Sequence, residues 1–182
     1  MDYFIEFVDF FQNNFIVTII TGVISSFLFI YLLLWILRPK FIIADKICYK
    51  KDKAGNRFFF FKIVNKSIFS LYNVEIKLHE RVPYIVDSAR VNHQMNLITL
   101  STEKIYCIPR FRSEKGYGEH AILIRTFDDI SENINQKNLD YQLTVSGKHG
   151  LSNITRVIFK RFSNKKCLHD GEFKFGSKTD VI

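Results

Sequence analysis

The chain is poor in residues that interrupt or cross-link a fold. Of 182 residues, 3 are Pro, 8 are Gly and 3 are Cys. So little Pro and Gly excludes a collagen, a linker or a low-complexity chain. Cys48, Cys107 and Cys167 cannot complete a disulfide framework, which excludes a small secreted scaffold. They are expected to be free thiols, at least partly buried. The Walker pattern, the dinucleotide glycine pattern, the nucleophile elbow and paired Cys or His spacings are all missing. His79, His93, His120, His149 and His169 are scattered, and Glu119-His120 does not continue into HExxH. No enzymatic activity, metal or cofactor is expected. The first 37 residues hold no Lys or Arg.

One apolar run is present. Phe15 to Leu37, FIVTIITGVISSFLFIYLLLWIL, carries no charge over 23 residues. As a helix it spans about 34 Å, enough for a hydrocarbon core of about 30 Å. Acids before it (Asp2, Glu6, Asp9) and the length of the run argue against a cleaved signal peptide. The other flank begins Arg38, Pro39, Lys40 and continues with Lys46, Lys50, Lys51 and Lys53. The positive-inside rule then puts the N-terminus outside and the basic part in the cytoplasm. Trp35, Arg38 and Lys40 are the expected membrane-interface residues, and the inner (cytoplasmic) membrane is the expected location.

Within this helix Thr18, Gly22 and Ser26 recur every four residues, with Thr21 and Ser25 beside them. Small residues at that spacing let two helix backbones approach, so Thr18, Gly22, Ser25 and Ser26 predict a homo-oligomer interface. Residues 1–14 place Asp2, Glu6 and Asp9 on one helical face among Phe, Ile and Val. They read as a short extracytoplasmic amphipathic segment or a solvated flank.

Residues 38–182 hold all 26 basic and 15 of the 18 acidic residues, 26 − 15 = +11. Residues 38–40 read as a linker and 41–182 as a cytoplasmic domain. Short strands are expected at 41–43, 47–49, 57–64, 74–78, 97–100, 105–108, 121–127, 141–145 and 154–162, with a last one through Phe173 and Phe175. Asp52–Asn56 and Ser113–Gly118 read as turns, 81–96 as a loop or edge, 128–138 as a surface loop or short helix, and Gly147–Gly150 as a break. The fold class is mainly β: an antiparallel β-sandwich preceded by one transmembrane helix. Arg110 and Arg112 around Phe111, with Arg156, Lys160 and Arg161, are candidate anion- or partner-binding residues. A cytoplasmic protein partner, a nucleotide, a nucleic acid and the anionic inner leaflet all suit such a surface.

Two stretches carry a resemblance. RFFFFKIVNKSIFSLYNVEIKLHE (Arg57 to Glu80) and LTVSGKHGLSNITRVIFKRF (Leu143 to Phe162) each give strand, polar turn, strand. They resemble immunoglobulin-like cytoplasmic sandwiches of small membrane proteins, including the cytoplasmic half of inward-rectifier potassium channels. One helix and no Gly-Tyr-Gly depart from those channels and speak against a potassium filter. The layout, a membrane helix joined to a small cytoplasmic domain, resembles the membrane effectors of bacterial antiphage systems of the retron and cyclic-nucleotide types. That resemblance implies an antiviral effector that assembles and alters membrane permeability. A membrane-anchored adaptor or a nucleotide- or nucleic-acid-binding module is the alternative.

Overall fold

The computed structural model describes residues 2–53, 55–87, 90–131, 134 and 139–182, without the side chains of 2–13 and 87. The chain divides into two compact units, Met1–Arg38 and Pro39–Ile182.

The first unit is one helix, α1 (Asp2–Ile36). The stretch read as a separate segment, 1–14, runs into the apolar run without a break from Asp2; the facing of Asp2, Glu6 and Asp9 lies outside the described residues. Asn14–Ile36 is long and apolar enough to cross a membrane. Its large hydrophobic side chains are exposed all round, from Leu33 at 41 % to Phe27 at 71 %. A helix apolar on every face has no amphipathic stripe to lay on a protein core, and lipid is the solvent that suits it. Thr18, Thr21 and Ser26 donate their hydroxyl hydrogens to the carbonyls four residues back, at 2.7, 2.7 and 2.8 Å. Their polarity is thereby satisfied within the helix. The amide of Leu37 still reaches the carbonyl of Leu33 at 2.9 Å, and then Pro39 follows. Proline lacks the amide hydrogen and disfavours helical angles at Arg38, so the ladder stops there.

The second unit is mainly β, built from two five-stranded sheets. The first contains β1 (Phe41–Ile43), β2 (Ile47–Lys51), β3 (Arg57–Asn65), β7 (Ala121–Thr126) and β10 (Leu168–Asp170). β3 is central: β1 and β2 share one of its edges, at Ile43↔Ile63 and Cys48↔Phe60, and β7 takes the other, at Phe61↔Ile124. The second contains β4 (Leu71–Asp87), β5 (Arg90–Ile98), β6 (Lys104–Ile108), β8 (Asp140–His149) and β9 (Thr155–Phe162), in the order β5-β4-β8-β9. β6 pairs the beginning of β4 on the edge that β5 takes further along. Asn73, with φ +47°, opens a bulge between Tyr72 and Glu75 where β4 meets β8. Asn tolerates this left-handed conformation better than most residues.

Alternation decides the core. Phe59, Phe61 and Ile63 of β3, Val74, Ile76 and Leu78 of β4, and Tyr141, Leu143 and Val145 of β8 belong to one buried cluster. Phe61 and Phe162 bring the two sheets together with ring centroids 5.6 Å apart. A second cluster lies around Ala44, Cys48 and Phe173, with Phe60 and Val181 packed against it. β3 is therefore buried continuously from Phe61 to Asn65, Lys62 included.

Several expectations are corrected. Of the two readings of 81–96, loop or edge, the edge holds: among the described residues β4 and β5 pair antiparallel there, with Pro83 opposite His93 and β5 at the edge of the sheet. Pro83 fits because β8 accompanies β4 only as far as Arg81, leaving one edge free of ladder bonds. The strand expected to begin at Leu97 is the end of β5. Gly147 does not break β8, which continues to His149; its missing Cβ faces Val74, Phe41 and Leu71 at 3.5–3.9 Å. The last strand is Leu168–Asp170, not Phe173–Phe175, and it runs parallel to β2, so the pairing is not wholly antiparallel. Phe173 instead bridges to Val181. Part of 128–138 lies outside the described residues; Ile130 and Ile134 are core residues, so the segment is not all surface.

Candidate functional site

On α1, Thr18, Gly22 and Ser26 line one shallow concavity of about 440 Å³, walled by Ile19, Val23 and Phe27. A Cβ on Gly22 would meet no atom within 4 Å. Three of the small residues expected from spacing thus line this shallow hollow. Ser25, also expected there, is not among the residues that line it. Trp35, Arg38 and Lys40 are exposed.

Two of the three residues read as a linker, Pro39 and Lys40, are held in place. The Pro39 carbonyl accepts from Arg156 Nη1 at 2.8 Å. The Lys40 amide donates to Ser67 Oγ at 2.7 Å, and the Lys40 carbonyl accepts from the Lys66 amide at 2.7 Å. Asn65 is fully buried and holds this turn in shape. Its two Nδ2 hydrogens are shared among the carbonyls of Phe69, Ile108 and Pro109 at 3.1, 3.3 and 2.9 Å, and its Oδ1 accepts from the Ser67 amide at 2.8 Å. The Asn-Lys-Ser turn therefore fastens the point where the chain enters the β unit.

The five candidate cationic residues do not share one cradle. Lys160 forms an ion pair with Asp45. Arg161 lies over the Phe159 ring at 5.4 Å and donates from Nε to Gln142 Oε1 at 3.3 Å. Arg156 serves Pro39. Arg110 borders a shallow groove with Ile68, Tyr72 and Leu151. Arg112 lies over the Tyr117 ring at 5.2 Å, with Glu114 4.0 Å away.

Of these five, Arg112 borders a concavity of about 240 Å³ that also takes in Glu114, Lys115, Tyr117, His120, Phe175, Ser177 and Lys178. The β6–β7 connection forms one wall and the C-terminal segment the other. A turn at Glu114–Tyr117, closed by the Tyr117 amide to the Glu114 carbonyl at 3.2 Å, needs Gly116 at φ +89°. The Asn65 amide donates to the His120 carbonyl at 2.8 Å, fixing His120 beside the same turn that fastens Lys40. The His120 ring is 1 % exposed, stacked on Tyr117 at 5.4 Å and edge-on to Phe111 at 5.1 Å. Neither of its ring nitrogens has a hydrogen-bond partner among the described residues. Burial holds the ring's pKa below the ordinary value, and the charges of Lys66 and Lys62 push it the same way.

Sequence reasoning noticed His120 only as a failed metal motif and did not notice Lys62. Lys62 is 3 % exposed and donates from Nζ to the carbonyls of Lys174 and Lys178 at 2.5 and 2.8 Å. Burial lowers its pKa, and it pins the C-terminal wall of the pocket to β3. A lysine inside FFFFKIV was the available signal. Burial pushes the neighbouring Cys48 thiol up to about 11. Among the described residues the three cysteines are free, and no group of three or more His, Cys, Asp or Glu is placed to hold a metal ion.

Comparison with protein-family models and with curated proteins finds no match for this chain.

Proposed function

We propose that this protein is a single-pass effector of the inner membrane, whose β unit senses a partner in the cytoplasm and controls self-association and permeability. The observation that carries the reading is α1. It exposes apolar side chains on every face for the length of a bilayer core, and it joins a β unit whose first two residues, Pro39 and Lys40, are hydrogen-bonded in place. The acidic N-terminal flank and basic C-terminal flank support an outside N-terminus and an inside β unit. The concavity at Gly22 supports helix pairing, because close backbone approach is what favours association in lipid. Two sheets with a shared core support an immunoglobulin-like sandwich. The layout supports membership among antiphage membrane effectors, and the reading assigns the chain no catalysis.

Controlled expression with a membrane-potential dye tests it. An effector depolarises the cell when triggered, whereas a membrane-anchored adaptor leaves the potential unchanged. A cytoplasm-only reporter fused after Ile182 is active if the β unit is inside. The second reading, an anchored binding module for a nucleotide, a nucleic acid or a protein, is favoured by the basic pocket at Arg112 and His120.

A further inference from the structure

We propose that the pocket formed by Arg112, Lys115, Tyr117, His120, Ser177 and Lys178 is a binding site for a terminal phosphate group. The inference concerns the β unit alone and does not depend on the permeability reading.

Three observations converge on it. The first is the orphaned ring of His120. A neutral imidazole carries one N–H donor and one acceptor, and here both are buried without a partner among the described residues. A buried donor left unmade is costly, and native structures rarely keep one unless something else fills the place. The second is the sign of the surroundings. Arg112, Lys115 and Lys178 border the same space, and Lys66 and Lys62 act on the His120 ring through their charge. Two carboxylates oppose them: Glu114 lines the same space, 4.0 Å from Arg112 and 69 % exposed, and Glu119 is hydrogen-bonded to the Tyr117 side chain. The uncompensated charge is positive, so the missing acceptor is an anion. The third is size. About 240 Å³ lies below the roughly 300–1,000 Å³ of pockets that enclose drug-sized ligands. It suits a compact oxyanion whose oxygens accept from several donors at once. The Arg112 guanidinium, already held over Tyr117, offers the forked geometry that phosphate takes, and Ser177 supplies a hydroxyl.

The same chemistry reaches this pocket from two sources, a soluble phosphomonoester or the headgroup of a lipid. Both are tested on the full chain in nanodiscs by imidazole nitrogen NMR, with inorganic phosphate as the first probe and chloride matched for ionic strength. Saturable movement of the His120 ring signals, with the other four histidines unmoved, is the expected result. Arg112→Gln and Lys178→Gln each weaken the response by about tenfold or more, as loss of one charge-assisted contact does. The four remaining histidine signals report that these variants are folded. Glycerol 3-phosphate competing with inorganic phosphate identifies the soluble source, and His120 movement on adding phosphatidic acid to phosphatidylcholine discs identifies the lipid source; either supports the site. No saturable His120 shift up to about 20 mM phosphate, well past millimolar affinity, overturns it. So does an equal shift of all five histidines, which is a salt effect, or an unchanged response in both variants.

Discussion

Arg156 at the beginning of β9 donates from Nη1 to the carbonyl of Pro39 at 2.8 Å, so the residue that ends the path from the helix is bonded to an edge strand of the second sheet. With Lys40 held by Ser67 and Lys66, only Leu37 and Arg38 separate the end of α1 from fixed backbone. Two residues extend by at most about 7 Å. If the chain self-associates as proposed, so short a connection would couple a rearrangement among neighbouring β units to their helices. Inserting about ten Gly and Ser residues after Arg38, and so outside the bonded turn, is expected to abolish triggered depolarisation while membrane insertion and folding survive. Retained depolarisation would show that the β unit acts by recruitment.

Asn65 closes four hydrogen bonds from a fully buried position. Asn65→Ala leaves three carbonyls and one amide to find other partners, and is expected to destabilise the β unit by about 1–3 kcal/mol. Asn65→Asp replaces a donor by a buried charge facing carbonyls and is expected to cost more. Denaturant midpoints of the full chain in detergent check the order.

Thr18 and Ser26 already give their hydroxyl hydrogens to Asn14 and Gly22. The proposed helix pairing at the concavity would then depend on close packing, with no hydroxyl hydrogen of Thr18 or Ser26 to spare. Gly22→Leu fills the depression and is expected to weaken association by roughly 1–2 kcal/mol, while Thr18→Val and Leu33→Ile leave it nearly intact. Crosslinking in membranes compares the three. Association of Gly22→Leu equal to the wild type would remove this face as the interface.

Burial lowers the pKa of His120 and of His149. Their unfolded rings titrate near 6.5, so below that pH the unfolded chain binds more protons than the native one. Stability therefore falls as the pH drops from about 6.5 through the lower native values, and the full contribution is present above it. His149 adds a structural reason. Its Nδ1 accepts from the Ser152 amide at 3.3 Å in the β8–β9 turn, and protonation removes that acceptor. The denaturation midpoint is expected to be lower at about pH 5.5 than at about pH 7.5, with a smaller difference in His120→Phe. An unchanged difference would place the pH dependence elsewhere.

The apolar helix was legible because its signal is additive. Twenty-three uncharged residues from Phe15 to Leu37 favour lipid whatever surrounds them, and the charged flanks mark its ends. The strands at Phe41, Arg57, Ala121 and Thr155 were legible too, because short apolar runs bounded by polar turn residues, and alternation at Thr155, are local properties. The β4–β5 hairpin was hidden by its Pro83 and polar composition, which an unaccompanied edge tolerates. β10 was hidden because its partner, β2, lies more than a hundred residues earlier in the chain.

The basic residues show the division most clearly. Composition determined that the β unit is strongly cationic, and Arg112 was visible beside Phe111. Tertiary structure alone decided that Lys160 is paired to Asp45, that Arg156 fastens Pro39, and that Lys178 and His120 line one pocket. Charge and hydropathy are properties of each residue and sum along the chain. Whether a cation is neutralised, or a histidine left without a partner, depends on which distant segments the fold brings beside it.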